Sequence, residues 1–458
     1  MAVQESAVLP DDGGDWPGEG RQRAGTHRRE SVPSGPSLKR FWSGVSVPFW
    51  IAVSRIGLGV VFAHLVVVLL PQARQHILGA TLNNGTWLGT FDRWDSGYYL
   101  DIAQHGYPLH NTFHATAFFP GYPFLTAVVH ALTFGTLPYL QSATVVSWLA
   151  FTAASVFLYR LANRLFSPRV ALIAAVLFCW FPASLFFLSP YSEALFALEI
   201  LLVLTLVERK NFLAAALVAG FASATSPESV ALTVALMVAA ALAGRGVVKV
   251  VAYGAISGAG VIAYMLFLWA RFGHPFEFIA VQKYWKRSEH FPFVGLYRNV
   301  LALEHYVNGV GPLPGAPSPT FTNIKWVWLL DDGALVLATL LLFGLAGLWL
   351  TRTRRHGLAE LSRHTPERSE TGTIPISFVV VTFVIVGLAA CTTISPYALP
   401  TFASSEGEAR FVSIAFPLYL SGALFIRRSA ALVSFAIGGT VIVALLFQAM
   451  YNLGYWVT

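Results

Sequence analysis

Residues 116–136 read TAFFPGYPFLTAVVHALTFGT, and whether they cross a membrane decides on which side every later loop lies. The run is apolar, but Pro120, Gly121 and Pro123 interrupt its first half, where a continuous helix would lose backbone hydrogen bonds. The chain around it has the composition of a polytopic membrane protein. Hydrophobic residues make up 55 % of its 458 residues and charged residues 12 %, with a mean hydropathy of +0.61. A soluble protein keeps roughly a quarter of its residues charged. Spans of about 20 residues are predicted over 45–70, 139–160, 168–188, 191–208, 211–226, 228–244, 247–270, 326–350, 374–394, 410–426 and 429–450.

Basic residues settle the reading of 116–136. With the N-terminal end inside and this run dipping or lying flat, Arg160, Arg164, Arg169, Arg209, Lys210, Arg245 and Lys249 fall inside. So do the cluster from Arg352 to Arg363 and the pair Arg427–Arg428. A full crossing would turn all of them outward, against the positive-inside rule. The expected fold is an all-α bundle of about eleven transmembrane helices with one re-entrant or interfacial segment. Residues 1–41 are polar and rich in Gly, Pro and charge, and read as a disordered cytoplasmic tail without a cleavable leader. The membrane domain is expected over 42–458, with outer loops 71–117 and 271–325 and a cytoplasmic loop at 351–373.

The net charge of +7 comes from loops flanking apolar runs, so it anchors loops and does not mark a nucleic-acid partner. Cys179 and Cys391 both lie in apolar runs and offer no metal spacing. In this topology the polar, aromatic segments gather on the outer face: 71–117, 189–193, 223–229, 271–325 and 404–410. Chemistry-capable groups crowding one interface fit an enzyme working on a lipid-linked substrate. A transporter more often holds such groups near the midplane.

The stretch FDRWDSGYYLDIAQHGYP (Phe91–Pro108) carries the densest chemistry. Asp95 or Ser96 could cap a short helix ending at Gly106, with Asp92 paired to Arg93. Alternatively, Asp92 and Asp95, three apart on one helical face, could work beside Arg93 as a substrate-binding residue and beside Trp94, Tyr98 and Tyr99, whose rings can stack on a sugar. Acids beside aromatic platforms suit glycosyl chemistry. In HATAFFPGYP (His114–Pro123), Phe118, Phe119 and Tyr122 could form an aromatic belt, and His114 could meet a phosphate or carry a proton.

Glu193 in SPYSEALF could complement a helix dipole or face a substrate. Glu199 and Arg55 are charges at membrane depth, where function or pairing is the default, and the two could pair with each other. Gln282, Trp285, Lys286 and Arg287, in FGHPFEFIAVQKYWKR, form a basic aromatic patch suited to an anionic phosphate or headgroup. Arg410 is a further phosphate candidate. Asp92 and Asp95 could share a divalent metal, without a complete ligand set. No phosphate-cradling glycine loop, HExxH or GxSxG is present.

RWDSGYYLDIAQHGYP followed by AFFPGYPFL, together with SPYSEALFAL, FGHPFEFIAVQKYWKR and ARFVSIAFPLYL, resembles the GPI mannosyltransferase II (PIG-V) family and its bacterial relatives. That family lies within the GT-C class of membrane glycosyltransferases. The resemblance implies a GT-C-like bundle and a polyprenyl-phosphate mannose donor used on the extracytoplasmic face of a bacterial plasma membrane. It also implies inverting transfer, with an acid of the first outer loop as general base; Asp95 is the first choice and Asp92 the second. Lys286, Arg287 or Arg410 would steady the departing phosphate. The acceptor, whether glycan, lipid or protein, stays open. Where relatives tend to carry an arginine, this chain reads Thr225-Ser226-Pro227-Glu228, which puts donor binding or sugar identity in question. The rival reading is a flippase or transporter of lipid-linked sugars without transfer chemistry.

Overall fold

The computed structural model describes residues 38–69, 86–108, 114–285, 287–289, 291–297, 324–356, 374–394 and 408–453. The tail expected over 1–41, apart from the start of the first helix, and parts of the loops 71–117, 271–325 and 351–373 lie outside these residues.

Each predicted span contains a helix, but several are short or broken. The long ones are α1 (Leu38–Leu69), α4 (Tyr139–Leu165), α13 (Ile324–His356) and α17 (Ala430–Asn452). Within these, four stretches are long and apolar enough to cross a membrane by themselves. The run 168–188 is not one straight span: α5 (Pro168–Cys179) and a second piece ending in α6 (Leu185–Leu188) meet at 68°. Pro182 opens the second piece, where its ring and missing N–H favour a break. Likewise α10 (Val247–Ser257) and α11 (Ala259–Phe272) meet at 51° across Gly258. Counting each bent pair as one span gives up to six by length and composition, so the number eleven is not reached on that measure.

The remaining apolar helices are shorter than a bilayer-crossing helix. They are α3 (Gly121–Leu132), α7 (Glu193–Glu208), α8 (Phe212–Thr225), α9 (Val230–Leu242), α14 (Ile376–Cys391) and α16 (Pro417–Ile426). The 12 residues of α3 reach about 18 Å, against a hydrocarbon core of about 30 Å. Three further short helices are α2 (Ser96–His105), α12 (Glu277–Ala280) and α15 (Glu408–Ser413). A short antiparallel pair joins β1 (Arg287–Glu289) to β2 (Thr392–Ile394).

Helices α7, α8 and α9 run as consecutive hairpins and so define two ends of the bundle. At one end lie the turns at Lys210 (φ 58°) and Gly244 (φ 72°). The Arg245 guanidinium sits 5.3 Å from the Phe212 ring there, and Glu208 feels the charges of Arg164 and Lys210. Ser167, Asn211 and Ser429 begin α5, α8 and α17 by accepting backbone N–H bonds from residues three further on, a standard N-cap. At the opposite end stand Glu193, Thr225, Ser226 and Glu228, 16 and 14 residues along α7 and α8. That corresponds to roughly 20–24 Å at 1.5 Å per residue. Basic loops and chemistry-bearing groups thus occupy different ends.

Glycine brings backbones together at the second end. A Cβ on Gly260 would fall 2.3 Å from the Gly220 carbonyl oxygen. One on Gly121 would fall 2.5 Å from Thr225 Oγ1 and 2.9 Å from the Ala224 carbonyl oxygen. Such contacts between α3, α8 and α11 are the small-residue packing that lipid-embedded helices favour. The Arg55–Glu199 pair does not form. Arg55 donates to Ser184 Oγ and Gln448 Oε1, each at 3.0 Å. Glu199 Oε1 accepts from Thr225 Oγ1 at 2.9 Å. The break at Pro182 places Ser184 within reach of α1, so Arg55 is held by that serine and by Gln448, with its Nη1 left without a hydrogen-bond partner.

If these ends are the two membrane faces, a cysteine at exposed Gln104 reacts with an impermeant thiol reagent on intact cells. One at exposed Gly246 reacts only after permeabilisation. Labelling of Gly246→Cys from outside would reverse the orientation.

Candidate active site

Asp95 follows a turn in which Trp94 takes a left-handed backbone (φ 53°). For a bulky side chain this costs of order 1–3 kcal/mol and survives only where the surroundings enforce it. Here the enforcing group is Tyr191 of SPYSE. Its buried hydroxyl donates to the Arg93 carbonyl at 2.9 Å and accepts from the Asp95 N–H at 3.2 Å. Tyr451 donates to the Phe91 carbonyl at 3.1 Å, and Arg93 Nη2 donates to the Asn452 carbonyl at 3.3 Å. The turn is therefore clamped from both sides.

The capping role does not hold for the Asp95 side chain, whereas the Asp92 charge does act on Arg93. Asp95 precedes α2 but makes no side-chain cap. Asp92 Oδ1 instead accepts from Ser96 Oγ at 2.7 Å. The Asp95 carboxylate turns to Arg410, whose Nη1 donates to Oδ2 at 2.6 Å. Arg410 Nε is bonded to Glu193 Oε1, and the guanidinium lies 4.8 Å from the Tyr191 ring. All three side chains are 15 % exposed or less. One arginine from α15 thus joins the first outer segment to the mouth of α7.

These groups line one cavity of about 100 Å³. A water needs roughly 10–15 Å³ on such a measure, so the space suits a ligand the size of one sugar ring. Its walls include Asp95, Tyr99, Ser192, Glu193, Arg410 and Phe411. Phe118, Phe119, Thr225, Ser226, Glu228 and Gln282 also line it. Ser226 Oγ donates to Glu228 Oε2, so the Ser226 hydroxyl supports a carboxylate. Two buried acceptors on cavity-lining residues, Glu193 Oε2 and Gln282 Oε1, have no hydrogen-bond partner. Gln282 is oriented by its Nε2, which donates to the Phe278 carbonyl at 3.1 Å.

Tyr99 is buried, and its hydroxyl shares a 2.9 Å hydrogen bond with Ser192 Oγ. Burial first, and then the Glu193 charge, push its phenol above the ordinary tyrosine value, so it stays protonated. Burial, reinforced by Asp95, moves Tyr98 in the same direction. Tyr98 stacks on Phe118, with centroids 4.6 Å apart.

Of the residues singled out in the sequence, Asp95, Tyr99, Glu193, Gln282 and Arg410 meet at the cavity. Tyr122 is buried beneath it, donating to the Ala143 carbonyl at 2.8 Å. Arg93 is buried on the far side of the turn, where desolvation pulls its guanidinium below the ordinary value. Trp94 is 37 % exposed. His114, also left-handed (φ 54°), stacks on Tyr284 at 3.7 Å. Lys286 and the side chains of Trp285 and Arg287 lie outside the described residues. Among described residues no group of three His, Cys, Asp or Glu side chains is placed to hold a metal. Ser192, Thr225 and Glu228 were not singled out as site residues, although SPYSE and SATSPES had been placed on the outer face.

Removing the shared cation should leave two buried carboxylates facing each other. Arg410→Met is expected to cost about 3–5 kcal/mol, read as a lowered melting temperature in detergent, with Glu193→Gln costing less. A wild-type melting temperature for Arg410→Met would contradict the buried ion pair.

Comparison with known proteins follows this geometry. Residues 72–247 match the model of the family described as Mannosyltransferase (PIG-V). The chain is 40 % identical over 118 residues to GPI alpha-1,6-mannosyltransferase 2 of Mus musculus, covering 24 % of this chain and 23 % of that protein. Against the Homo sapiens protein of the same name it is 36 % identical over 150 residues, covering 30 % and 29 %. The match therefore spans less than a third of these curated relatives. A crystal structure of the Archaeoglobus fulgidus oligosaccharyltransferase aligns with a TM-score of 0.44 at 15 % identity, over 89 % of this chain and 56 % of that one. Over the segment holding Asp92, Asp95 and Glu193, the resemblance read from the motifs is to the mannosyltransferases of the PIG-V family.

Proposed function

We propose that the chain is an integral-membrane mannosyltransferase that takes its sugar from a polyprenyl-phosphate donor and delivers it, with inversion, to an extracytoplasmic acceptor. The observation that carries this reading is the cavity itself. It sets the Asp95 carboxylate against Arg410 and Glu193, and both acids lie within the segment similar to mannosyltransferases. Its supply of hydrogen-bond acceptors (Asp95, Glu193, Glu228 and the Gln282 amide oxygen) matches a ligand that is mostly hydroxyl donors.

In this scheme the acceptor hydroxyl gives its proton to Asp95 as its oxygen attacks the anomeric carbon. The bond from that carbon to the phosphate oxygen breaks, its electron pair leaves with the phosphate, and the configuration inverts. Arg410 keeps one carboxylate oxygen of Asp95 fixed, leaving the other for the proton. The hydrogen bonds to Asp95 and Glu193 use its Nη1 and Nε. Its other N–H groups are available in kind to a phosphate, which guanidinium donors grip well. Two carboxylates offset the Arg410 charge, so the donor's phosphate would need further cations; Lys286 and Arg287, close in sequence to cavity-lining Gln282, are the candidates.

The test is transfer from radiolabelled polyprenyl-phosphate mannose in membranes carrying wild type or Asp95→Asn. Loss of a positioned general base is expected to slow transfer by about 10²–10⁴-fold. Transfer at the wild-type rate by Asp95→Asn would remove Asp95 from the role of base.

A further inference from the structure

Helix α17 buries only one stripe: Ala444, Phe447, Gln448, Tyr451 and Asn452. Lipid supplies no hydrophobic drive between helices, so hydrogen bonds and close packing decide how such a helix docks. The polar half of this stripe forms a connected set. Gln448 Oε1 accepts from Arg55 Nη2 at 3.0 Å, and its Nε2 donates to Asn452 Oδ1 at 2.9 Å. The Asn452 carbonyl accepts from Arg93 Nη2, and the neighbouring Tyr451 hydroxyl donates to the Phe91 carbonyl. Tyr451 also meets Tyr191 and Ser189, and Tyr191 holds the backbone of Arg93 and Asp95. Arg55 is itself fixed by Ser184 Oγ and by the Trp180 ring at 5.5 Å.

Every attachment of α17 in this set therefore leads either down to Arg55 or up to the turn that presents Asp95. Gln448 and Tyr451 are fully buried and Asn452 is 1 % exposed, yet the cavity is lined by none of them. The strained backbone at Trp94 needs external support; Tyr191 holds it directly, and this helix braces Tyr191, Phe91 and Arg93.

We infer that Gln448 and Tyr451, anchored through Arg55, are positioning residues for catalysis: they seat the C-terminal end of α17 against residues 91–95 and so aim Asp95 into the cavity. This rests on Asp95 being the base. The inferred effect falls on the rate of the chemical step and not on donor affinity, because the residues touch the turn and not the ligand space.

The experiment uses the full chain in membranes and detergent, with polyprenyl-phosphate mannose as probe. Gln448→Leu leaves a buried guanidinium without one of its two acceptors and is expected to lower both the melting temperature and kcat. The double variant Arg55→Met with Gln448→Leu removes both partners, which for buried polar pairs is often near neutral for stability. It is expected to regain most of the melting temperature while kcat stays at least about tenfold below wild type, with the donor KM unchanged. Tyr451→Phe removes a single hydroxyl, and with it the contacts to the Phe91 carbonyl, Tyr191 and Ser189, and is expected to lower kcat in the same way.

A double variant with wild-type kcat would show the set to be structural only and would overturn the inference. A raised donor KM with wild-type kcat would overturn it as well. Should the double variant fail to fold, Tyr451→Phe decides. If Asp95→Asn transfers at the wild-type rate, the base assignment fails and carries this inference with it. If Asp95→Asn is inactive while the double variant and Tyr451→Phe are fully active, only this inference fails.

Discussion

One guanidinium holds the site together. Arg410 binds Asp95 and Glu193 at once, joining segments separated by 315 and 217 positions in the chain. In a largely dry environment a buried cation shared by two carboxylates is strongly favoured over either acid alone, so α2, α7 and α15 are drawn to a common point. The aromatic faces of Tyr191 and Phe186, 4.8 and 5.4 Å from the guanidinium, cover it without competing for its hydrogen bonds. Everything proposed about catalysis depends on this junction, because it turns Asp95 away from a capping role and toward the cavity.

The rest of the fold serves to place that junction at one end of the bundle. Short helices α7, α8 and α9 return to the same end with Glu193, Thr225 and Glu228 at their tips. Gly121, Gly220 and Gly260 let three backbones approach closely enough for Thr225 to reach both the cavity and Glu199. Tyr107 and Tyr264 donate to the carbonyls of Phe118 and Thr116 at 2.6 and 2.9 Å, fixing the turn whose phenylalanines form the apolar wall. The cavity thus combines charged and aromatic lining residues, a combination suited to a sugar ring with one polar edge and one apolar face.

Much of this was legible in the sequence because it is local. The chemistry of Phe91–Pro108 and of SPYSE, the separation of basic loops from acidic ones, and the breaks signalled by Pro120, Gly121 and Pro123 are short-range patterns. What could not be read were pairings across hundreds of residues. Arg55 was matched with Glu199 on depth alone, whereas the bend at Pro182 delivers Ser184 to it and α17 delivers Gln448. Arg410 was singled out for its charge, but its two carboxylate partners arise from packing that no spacing rule encodes. Arg93, a binding candidate by its place in the motif, proves to face the C-terminal helix because Trp94 reverses the chain between it and Asp95. Helix lengths also escaped the hydropathy reading, since apolar runs do not show where Gly258 or Pro182 bends them.

The central claim is that the Asp95–Arg410 junction is where sugar and phosphate part. The most direct measurement is a structure of the full chain in lipid with an unreactive phosphonate analogue of polyprenyl-phosphate mannose. The account predicts the sugar in the cavity lined by Asp95, Glu193 and Gln282, with the phosphonate against Arg410. An analogue bound elsewhere, with this cavity unoccupied and the Asp95–Arg410 bond closed over it, would contradict the account.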